Sequence, residues 1–144
     1  MKILSIDYGD KRIGIASGDT NIGIAFAKDN IIYNNDAFPN ILKICHDNTI
    51  EKIIIGLPVM LEGETSDSSH KAMEFKTKLY NYLQKQKEEQ LSESIEFIDE
   101  RLSTNIAQYR LNVGQCKTHK KRSKIDSASA QVLLENYFSR LKNS

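Results

Sequence analysis

Carboxylate side chains at three separated places have the clearest capacity for chemistry in this sequence. Asp7 interrupts an apolar strand pattern, Asp99 and Glu100 follow a second short apolar run, and Asp126 lies near the start of a predicted helix. The three histidines and two cysteines show no HxH, HxxxH or CxxC spacing, so a metal site here would be built from oxygen ligands. Such ligands favour hard cations, and we expect Mg²⁺ or Mn²⁺.

Each acidic position also has a structural explanation when taken alone. Asp7 could cap its own turn, the acidic pair could favour the start of the following helix, and Asp126 stands three residues after Ser123, as in a capping box. The three positions together favour chemistry, because the predicted sheet brings the ends of its first and last strands close to the final helix. Two cations about 4 Å apart at such a place would bracket a phosphodiester, which predicts nuclease chemistry.

Hydrophobic periodicity predicts an α/β domain that spans residues 1–144 as a single unit. Three antiparallel strands come first, followed by alternating helices and parallel strands, so the sheet is mixed and five-stranded with helices on its faces. The third strand could instead be a further short meander, because a KDN turn signal interrupts it. The predicted strands cover 2–8, 12–17, 22–33, 52–56 and 95–98, and the predicted helices cover 36–48, 67–90, 103–113 and 124–141.

Positive charge is concentrated in one segment of an otherwise near-neutral chain. The formal net charge is +1, yet residues 101–125, called here the basic segment, contain seven cations and no acidic residue. This sorting favours a nucleic-acid backbone as partner, although a solvated loop that binds nothing is the plainer alternative. Lys11 and Arg12 of the first hairpin are expected to face the same neighbourhood. The seven cations are Arg101, Arg110, Lys117, Lys120, Lys121, Arg122 and Lys124.

The remaining composition is that of an ordinary globular protein. The N-terminal apolar run is too short for a signal peptide or a membrane span, so we expect a cytoplasmic protein that does not bind membranes. Cys45 and Cys116 are far apart and are expected to be reduced, structural thiols. The three histidines are expected at the surface.

Four motifs resemble those of the YqgF/RuvX family of RNase H-like proteins, which are described as Holliday junction resolvases and as pre-16S rRNA nucleases. The motifs are SIDYGDKRIGIA, IIIGLPVMLEG, IDERLST and KIDSASAQVLLENYF, and the match extends over nearly the whole chain. The resemblance implies an RNase H-like fold. It also implies catalytic and metal-binding roles for Asp7, Glu100 in preference to Asp99, and Asp126, which are the residues chosen above from their positions.

The sequence departs from its relatives at two places. Met60 stands where the family commonly has asparagine, so the loop that follows the GLP motif lacks that polar contact. Better-characterised resolvases carry a carboxylate at the end of the strand that reads KIIIGLP here, and this chain has none. The second metal ligand must therefore come from Asp99 or Glu100 on the neighbouring strand.

Two other functions are alternatives to that of a nuclease. An actin-like ATPase would need two related domains, and 144 residues supply one. A non-catalytic nucleic-acid-binding module in ribosome assembly or transcription stays open, although all three acidic places are present. The pattern does not choose between precursor rRNA and branched DNA, and a homodimer is expected only for a resolvase that cuts two strands symmetrically.

Overall fold

The computed structural model describes residues 1–9, 11–57, 67–99 and 119–142. Five strands form one sheet in the order β3-β2-β1-β4-β5. β1 is antiparallel to β2 and β2 to β3, whereas β4 is parallel to both β1 and β5. The predicted mixed sheet is therefore confirmed. Its strands are β1 (Lys2–Asp7), β2 (Arg12–Asp19), β3 (Ile24–Ile32), β4 (Lys52–Leu57) and β5 (Glu96–Asp99).

Four helices accompany the sheet in the described part of the chain. They are α1 (Ala37–Asp47), α2 (Asp67–Lys85), α3 (Glu89–Glu93) and α4 (His119–Lys142). None of the helices described is long and apolar enough to cross a bilayer. The predicted helix over 103–113 lies outside the described residues.

Strand alternation divides the buried residues between two cores, one on each face of the sheet. Leu4 and Ile6 of β1 belong to a cluster that also contains Ile41 of α1 and Phe75 of α2. Ile3, one position earlier, belongs to a second cluster formed with α4. Since successive strand residues point to opposite faces, α1 and α2 cover one face and α4 covers the other.

The sheet has two ends, and they are named here for later use. The start edge lies where β1 and β4 begin and is represented by Lys2, Asp19 and Lys52, because Ile3 pairs with Gly18 and with Lys52. The site edge lies where β1, β4 and β5 end, with the turn from β1 to β2 beside it. Carboxyl ends of parallel strands are where ligands of such sheets gather.

Two predicted features of the C-terminal helix are wrong. α4 begins at His119, five residues before the predicted start at Lys124. Ser123 consequently lies inside the helix and does not cap it, so the capping-box explanation of Asp126 fails. Residues 119–124 of the basic segment are helical and do not form a loop, because they belong to the first hydrogen-bonded turns of α4.

Smaller differences concern the predicted bounds of other elements. The third apolar run is one strand, with a register irregularity opposite Ile13 and Ile15 that accommodates the KDN turn signal. The predicted helix over 67–90 ends at Lys85, because Lys87 adopts a positive φ of 62° and a short α3 follows. Cys45 is buried, and His46 is exposed, as expected.

Candidate functional site

Asp7 is the last residue of β1, a central strand of the sheet, and pairs in register with Gly14 of β2. Alternation places it on the α4 face together with Ile3 and Ser5, both of which are fully buried. Asp7 itself is only partly buried. A carboxylate at this position therefore ends a buried row of the strand and is accessible to a ligand at the site edge.

The last strand ends at the same edge as β1, as predicted. Ile6 pairs with Ile55, and Leu57 pairs with Asp99, so β1, β4 and β5 all run toward the site edge. β4 lies between β1 and β5, which puts the two strand axes two spacings apart, about 9 to 10 Å. The structure thus places the end of β5 at the site edge, where Asp7 also lies. The side chain of Asp99 and the whole of Glu100 lie outside the described residues.

The position of Asp126 is known only from the backbone of α4. Its side chain lies outside the described residues, and Ala130, one helical turn later, is buried. Two described contacts of α4 are near the start edge: Gln131 donates to the Ala25 carbonyl at 3.0 Å, and the Tyr137 ring lies 5.4 Å from the Lys52 ammonium. The convergence of Asp126 with Asp7 therefore stays a prediction.

A tight turn joins β1 to β2 directly after Asp7. Gly9 is required there, because a Cβ at this position would lie 2.5 Å from the Arg12 carbonyl oxygen. Lys11 in the same turn is exposed and Arg12 is partly buried. Neither cation forms an ion pair with a carboxylate of the described residues. Both are therefore available to an anionic ligand at the site edge.

The other predicted nucleic-acid contacts are placed only in part. Arg101 and Lys117 lie outside the described residues. The backbone of α4 carries the remaining four positions, and their side chains are not described. These four are Lys120, Lys121, Arg122 and Lys124.

Aromatic residues beside Asp7 were not identified from the sequence as functional. Tyr8 follows Asp7 directly, and its ring centroid lies 5.8 Å from that of Tyr33 and 5.1 Å from that of Phe75. Tyr8 directly follows β1, Tyr33 directly follows β3, and Phe75 belongs to α2. The adjacency of Tyr8 to Asp7 was the only sequence signal for this cluster.

A second concave region lies away from these residues, at the start edge. A cavity of about 350 Å³ is lined by Cys45, His46 and Glu88, among others. His46 Nε2 lies 2.6 Å from Glu88 Oε1 at the surface. Burial, assisted by the charge of Glu88, raises the pKa of the Cys45 thiol to about 12, so this cysteine is a structural one. Across the described ranges, no three His, Cys, Asp or Glu residues are grouped so as to hold a metal ion.

Comparison with known proteins identifies the family. The model of a family described as "RuvX: Holliday junction resolvase" matches residues 1–140. This chain belongs to the RuvX family. A relative from Sulfurihydrogenibium sp. (strain YO3AOP1), named "Putative pre-16S rRNA nuclease", is 35% identical over 143 residues, covering 99% of this chain and 93% of the relative. A protein of the same name from Maridesulfovibrio salexigens is 32% identical over 142 residues, covering 97% and 99% of the two chains.

Solved structures confirm the RNase H-like fold of this RuvX family member. RuvC from Thermus thermophilus, in complex with a Holliday junction substrate, superposes with a TM-score of 0.54 at 10% identity, covering 98% of this chain and 96% of that one. The resolvase of fowlpox virus, in complex with Holliday junction DNA, gives a TM-score of 0.52 at 13% identity and covers 98% and 99%. At these identities the likeness concerns the fold alone, and the family match supports nuclease activity.

Proposed function

We propose that this chain is a nuclease that depends on Mg²⁺ or Mn²⁺ and hydrolyses phosphodiester bonds of structured nucleic acid. The observation that carries the proposal is the position of Asp7, a partly buried carboxylate at the carboxyl end of a central strand, on the edge at which β5 also ends. Asp7 ends a strand row whose earlier members, Ile3 and Ser5, are fully buried, and it is itself only partly buried. A carboxylate at such a place is the kind of ligand that a hard divalent cation takes.

The proposed ligands are Asp7, Glu100 and Asp126. In β5, Ile98 belongs to the core under α4, on the face that Asp7 shares. A strand returns to the same face every second residue, so a continuation of β5 would favour Glu100 over Asp99 as the partner of Asp7. Asp99 is kept as the alternative ligand. All the proposed donors are carboxylate oxygens, which fits Mg²⁺ or Mn²⁺ better than zinc.

The chain's own residues would bind and orient the substrate. Lys11 and Arg12, without ion pairs in the described part of the chain, would hold the phosphate backbone beside Asp7. The basic segment would extend this contact along α4. When bound, the metal would supply activation of the attacking water and stabilisation of the leaving oxygen.

Two substrates are proposed, and each has support. The relatives named for pre-16S rRNA favour processing of the 5′ end of that precursor. The family description and the junction-bound structures favour Holliday junction resolution. Junction resolution would require two active sites related by a two-fold axis, so a homodimer is proposed for that substrate only. The mass of the protein in solution, with and without a junction, tests this point.

The test offers both substrates to the purified protein. A 5′-extended 16S rRNA fragment and a four-way DNA junction are incubated with Mg²⁺, with Mn²⁺ or with chelator, and the products of wild type, Asp7→Asn and Asp19→Asn are compared. Asp19 is a matched control because it also ends a strand, but at the start edge. We expect metal-dependent cleavage of one substrate by wild type and Asp19→Asn only.

Two other results would count against the proposal. Cleavage by Asp7→Asn at the wild-type rate would remove Asp7 from the active site. Tight binding of both substrates without cleavage under any metal condition would favour the non-catalytic module in ribosome assembly or transcription.

A further inference from the structure

An aromatic cluster lies next to Asp7 on the opposite face of the sheet. The rings of Tyr8 and Tyr33 meet nearly edge to face, with centroids 5.8 Å apart and an interplanar angle of 79°. Phe75 lies behind both of them, 5.1 Å from Tyr8 and 5.8 Å from Tyr33. Phe75 is 1% exposed, whereas the two tyrosines are partly buried. The tyrosines therefore sit between a fixed apolar support and solvent.

The cluster is attached to the turn that carries Lys11 and Arg12. The Tyr33 N–H donates to the Lys11 carbonyl at 2.9 Å, which joins the end of β3 to the turn after β1. Tyr8 follows Asp7 in the chain, so their Cα atoms are about 3.8 Å apart. An exposed ammonium, a carboxylate and two partly accessible aromatic rings thus occupy one small region of the site edge.

The apolar core beneath Tyr8 and Tyr33 is formed by buried residues, including Phe75, Ile6 and Ile31. Tyrosine combines a large apolar ring with a hydroxyl that prefers water, and such residues are frequent where a surface binds a partner. The partner at this edge, on the proposed function, is a nucleic acid.

We propose that Tyr8 and Tyr33 form a stacking platform for one unpaired base of the substrate, beside the scissile phosphate. Nucleotides in single strands stack their bases on aromatic side chains while cations hold the backbone, and the site edge offers both components. The inference rests on the proposed function, and it adds that the strand is unpaired where it is cut. Lys11 would hold the adjacent phosphate.

Binding measurements test the platform independently of cleavage. The full-length Asp7→Asn protein is titrated, with Mg²⁺ present, against a single-stranded oligonucleotide and a blunt duplex of the same length. Tyr8→Leu and Tyr33→Leu are added singly, with Tyr8→Phe and Tyr33→Phe as conservative variants that keep the ring. Tyr82→Leu is the matched control, because Tyr82 stacks on Phe38 in the same aromatic array, two helical turns beyond Phe75.

Each leucine variant is expected to weaken single-strand binding by roughly 5- to 150-fold, the usual loss for one stacked base. The phenylalanine variants and Tyr82→Leu should stay within about twofold, as should duplex binding by every variant. Equal losses for single strand and duplex, or no loss, would overturn the platform. Circular dichroism melting identifies any variant that does not fold.

A second measurement needs no leucine variant. 2-Aminopurine is placed at successive positions of the single strand, and its emission is read upon binding to the Asp7→Asn protein. One position should be quenched by stacking, and quenching at none would contradict the inference. If quenching occurs but the wild-type protein cleaves no substrate, the platform stands and the proposed nuclease fails. If cleavage occurs without quenching, the nuclease stands and the platform fails.

Discussion

The start edge and the site edge of the sheet use their charged residues differently. At the start edge, the Lys52 ammonium lies 2.5 Å from Glu96 and over the Tyr137 ring, so it ties β4 to β5 and to α4. The N-terminal ammonium lies 3.4 Å from Asp19 Oδ1 and 2.9 Å from Thr20 Oγ1. These charges of the start edge are thus engaged in structural contacts.

The site edge has no comparable set of partners within the described ranges. Lys11 and Arg12 form no ion pair there, although they stand on a turn that Gly9 makes tight. Lys11 is exposed at the site edge, whereas the Lys52 ammonium at the start edge is paired with Glu96. The difference shows that the number of charged residues in a region does not by itself identify a functional site. Charges that have no ion pair among the described residues, at an edge where strands end, are the informative ones.

The sharpest test of this difference is to neutralise one aspartate at each edge. Asp7→Asn should lower the rate of cleavage by roughly a thousandfold, the loss of about 4 kcal/mol of stabilisation by the metal site. Its melting temperature should rise or barely change, because repulsion within the proposed carboxylate group is reduced. Cleavage assays and thermal melts measure the two effects. Clear destabilisation with normal cleavage would instead make Asp7 a turn residue.

Asp19→Asn should behave in the opposite way. The hydrogen bond from the Asn21 N–H lowers the pKa of Asp19, and the N-terminal ammonium lowers it further by a smaller amount. A lowered pKa in the folded state means that the contribution to stability is present above the unfolded pKa and is lost as the pH falls through the folded value. Asp19→Asn should therefore reduce the acid sensitivity of melting slightly and leave cleavage unchanged.

The basic segment provides the second test, because it is proposed to bind the nucleic-acid backbone. Replacing Lys120, Lys121 and Arg122 by alanine should weaken binding to nucleic acids of one shape regardless of sequence. The slope of log affinity against log salt should decrease by about 2 to 3, at roughly 0.9 per lost duplex phosphate contact. Titrations at several salt concentrations measure the slope. An unchanged slope would assign these residues to a solvated surface.

Substitutions of two glycines, one at each edge, distinguish an effect on folding from an effect on the position of the site residues. A Cβ at Gly18 would lie 2.6 Å from the Ile24 carbonyl oxygen and 2.9 Å from Phe138 Cε2, and a Cβ at Gly9 would meet the Arg12 carbonyl. Each Gly→Ala change should destabilise the protein by about 1 to 3 kcal/mol. Only Gly9→Ala should also lower kcat/KM of the folded fraction, because it distorts the turn beside Asp7. Equal kcat/KM values for both variants would show that this turn does not position the site.

The smallest expected effect is the loss of stability upon removal of the Lys52–Glu96 ion pair. The hydrogen bond to Glu96, followed by that to Tyr137, raises the pKa of Lys52 above its ordinary value of 10.5. Because the pKa of Lys52 is higher in the folded than in the unfolded state, its stabilising contribution is fully present below the unfolded pKa. The contribution is lost as the pH rises through the folded pKa. Because Glu96 is 48% exposed, solvent screening limits the pair to less than about 1 kcal/mol.

Lys52→Met should therefore cost less than about 1 kcal/mol at neutral pH and should flatten the loss of stability above about pH 10.5. Denaturant unfolding at neutral and alkaline pH measures both. A variant that loses stability with alkaline pH as steeply as wild type would show that another group titrates there. Cleavage at neutral pH should be unaffected, since the pair lies at the start edge.

Local patterns in the sequence were sufficient for much of the fold. Alternation within residues 2–17 predicted the first hairpin, and the continuous apolar run at 52–56 predicted a strand buried on both faces, as β4 is. Both patterns depend on burial of short adjacent segments, so they can be read without knowing what covers them. The predicted start of α4 failed, because the polar residues 119–123 carry no apolar periodicity that would reveal a helix.

Of the candidate site, the sequence by itself determined the residue types: carboxylates after two strands and on one helix, and cations beside them. Only the tertiary structure decided that β1 and β5 end at one edge with β4 between them, and that Lys11 and Arg12 lack ion pairs among the described residues. The cluster of Tyr8, Tyr33 and Phe75 was likewise decided by packing, because its rings come from three elements far apart in the chain. Local periodicity reports which residues become buried, whereas the partners of a side chain depend on long-range strand order and register.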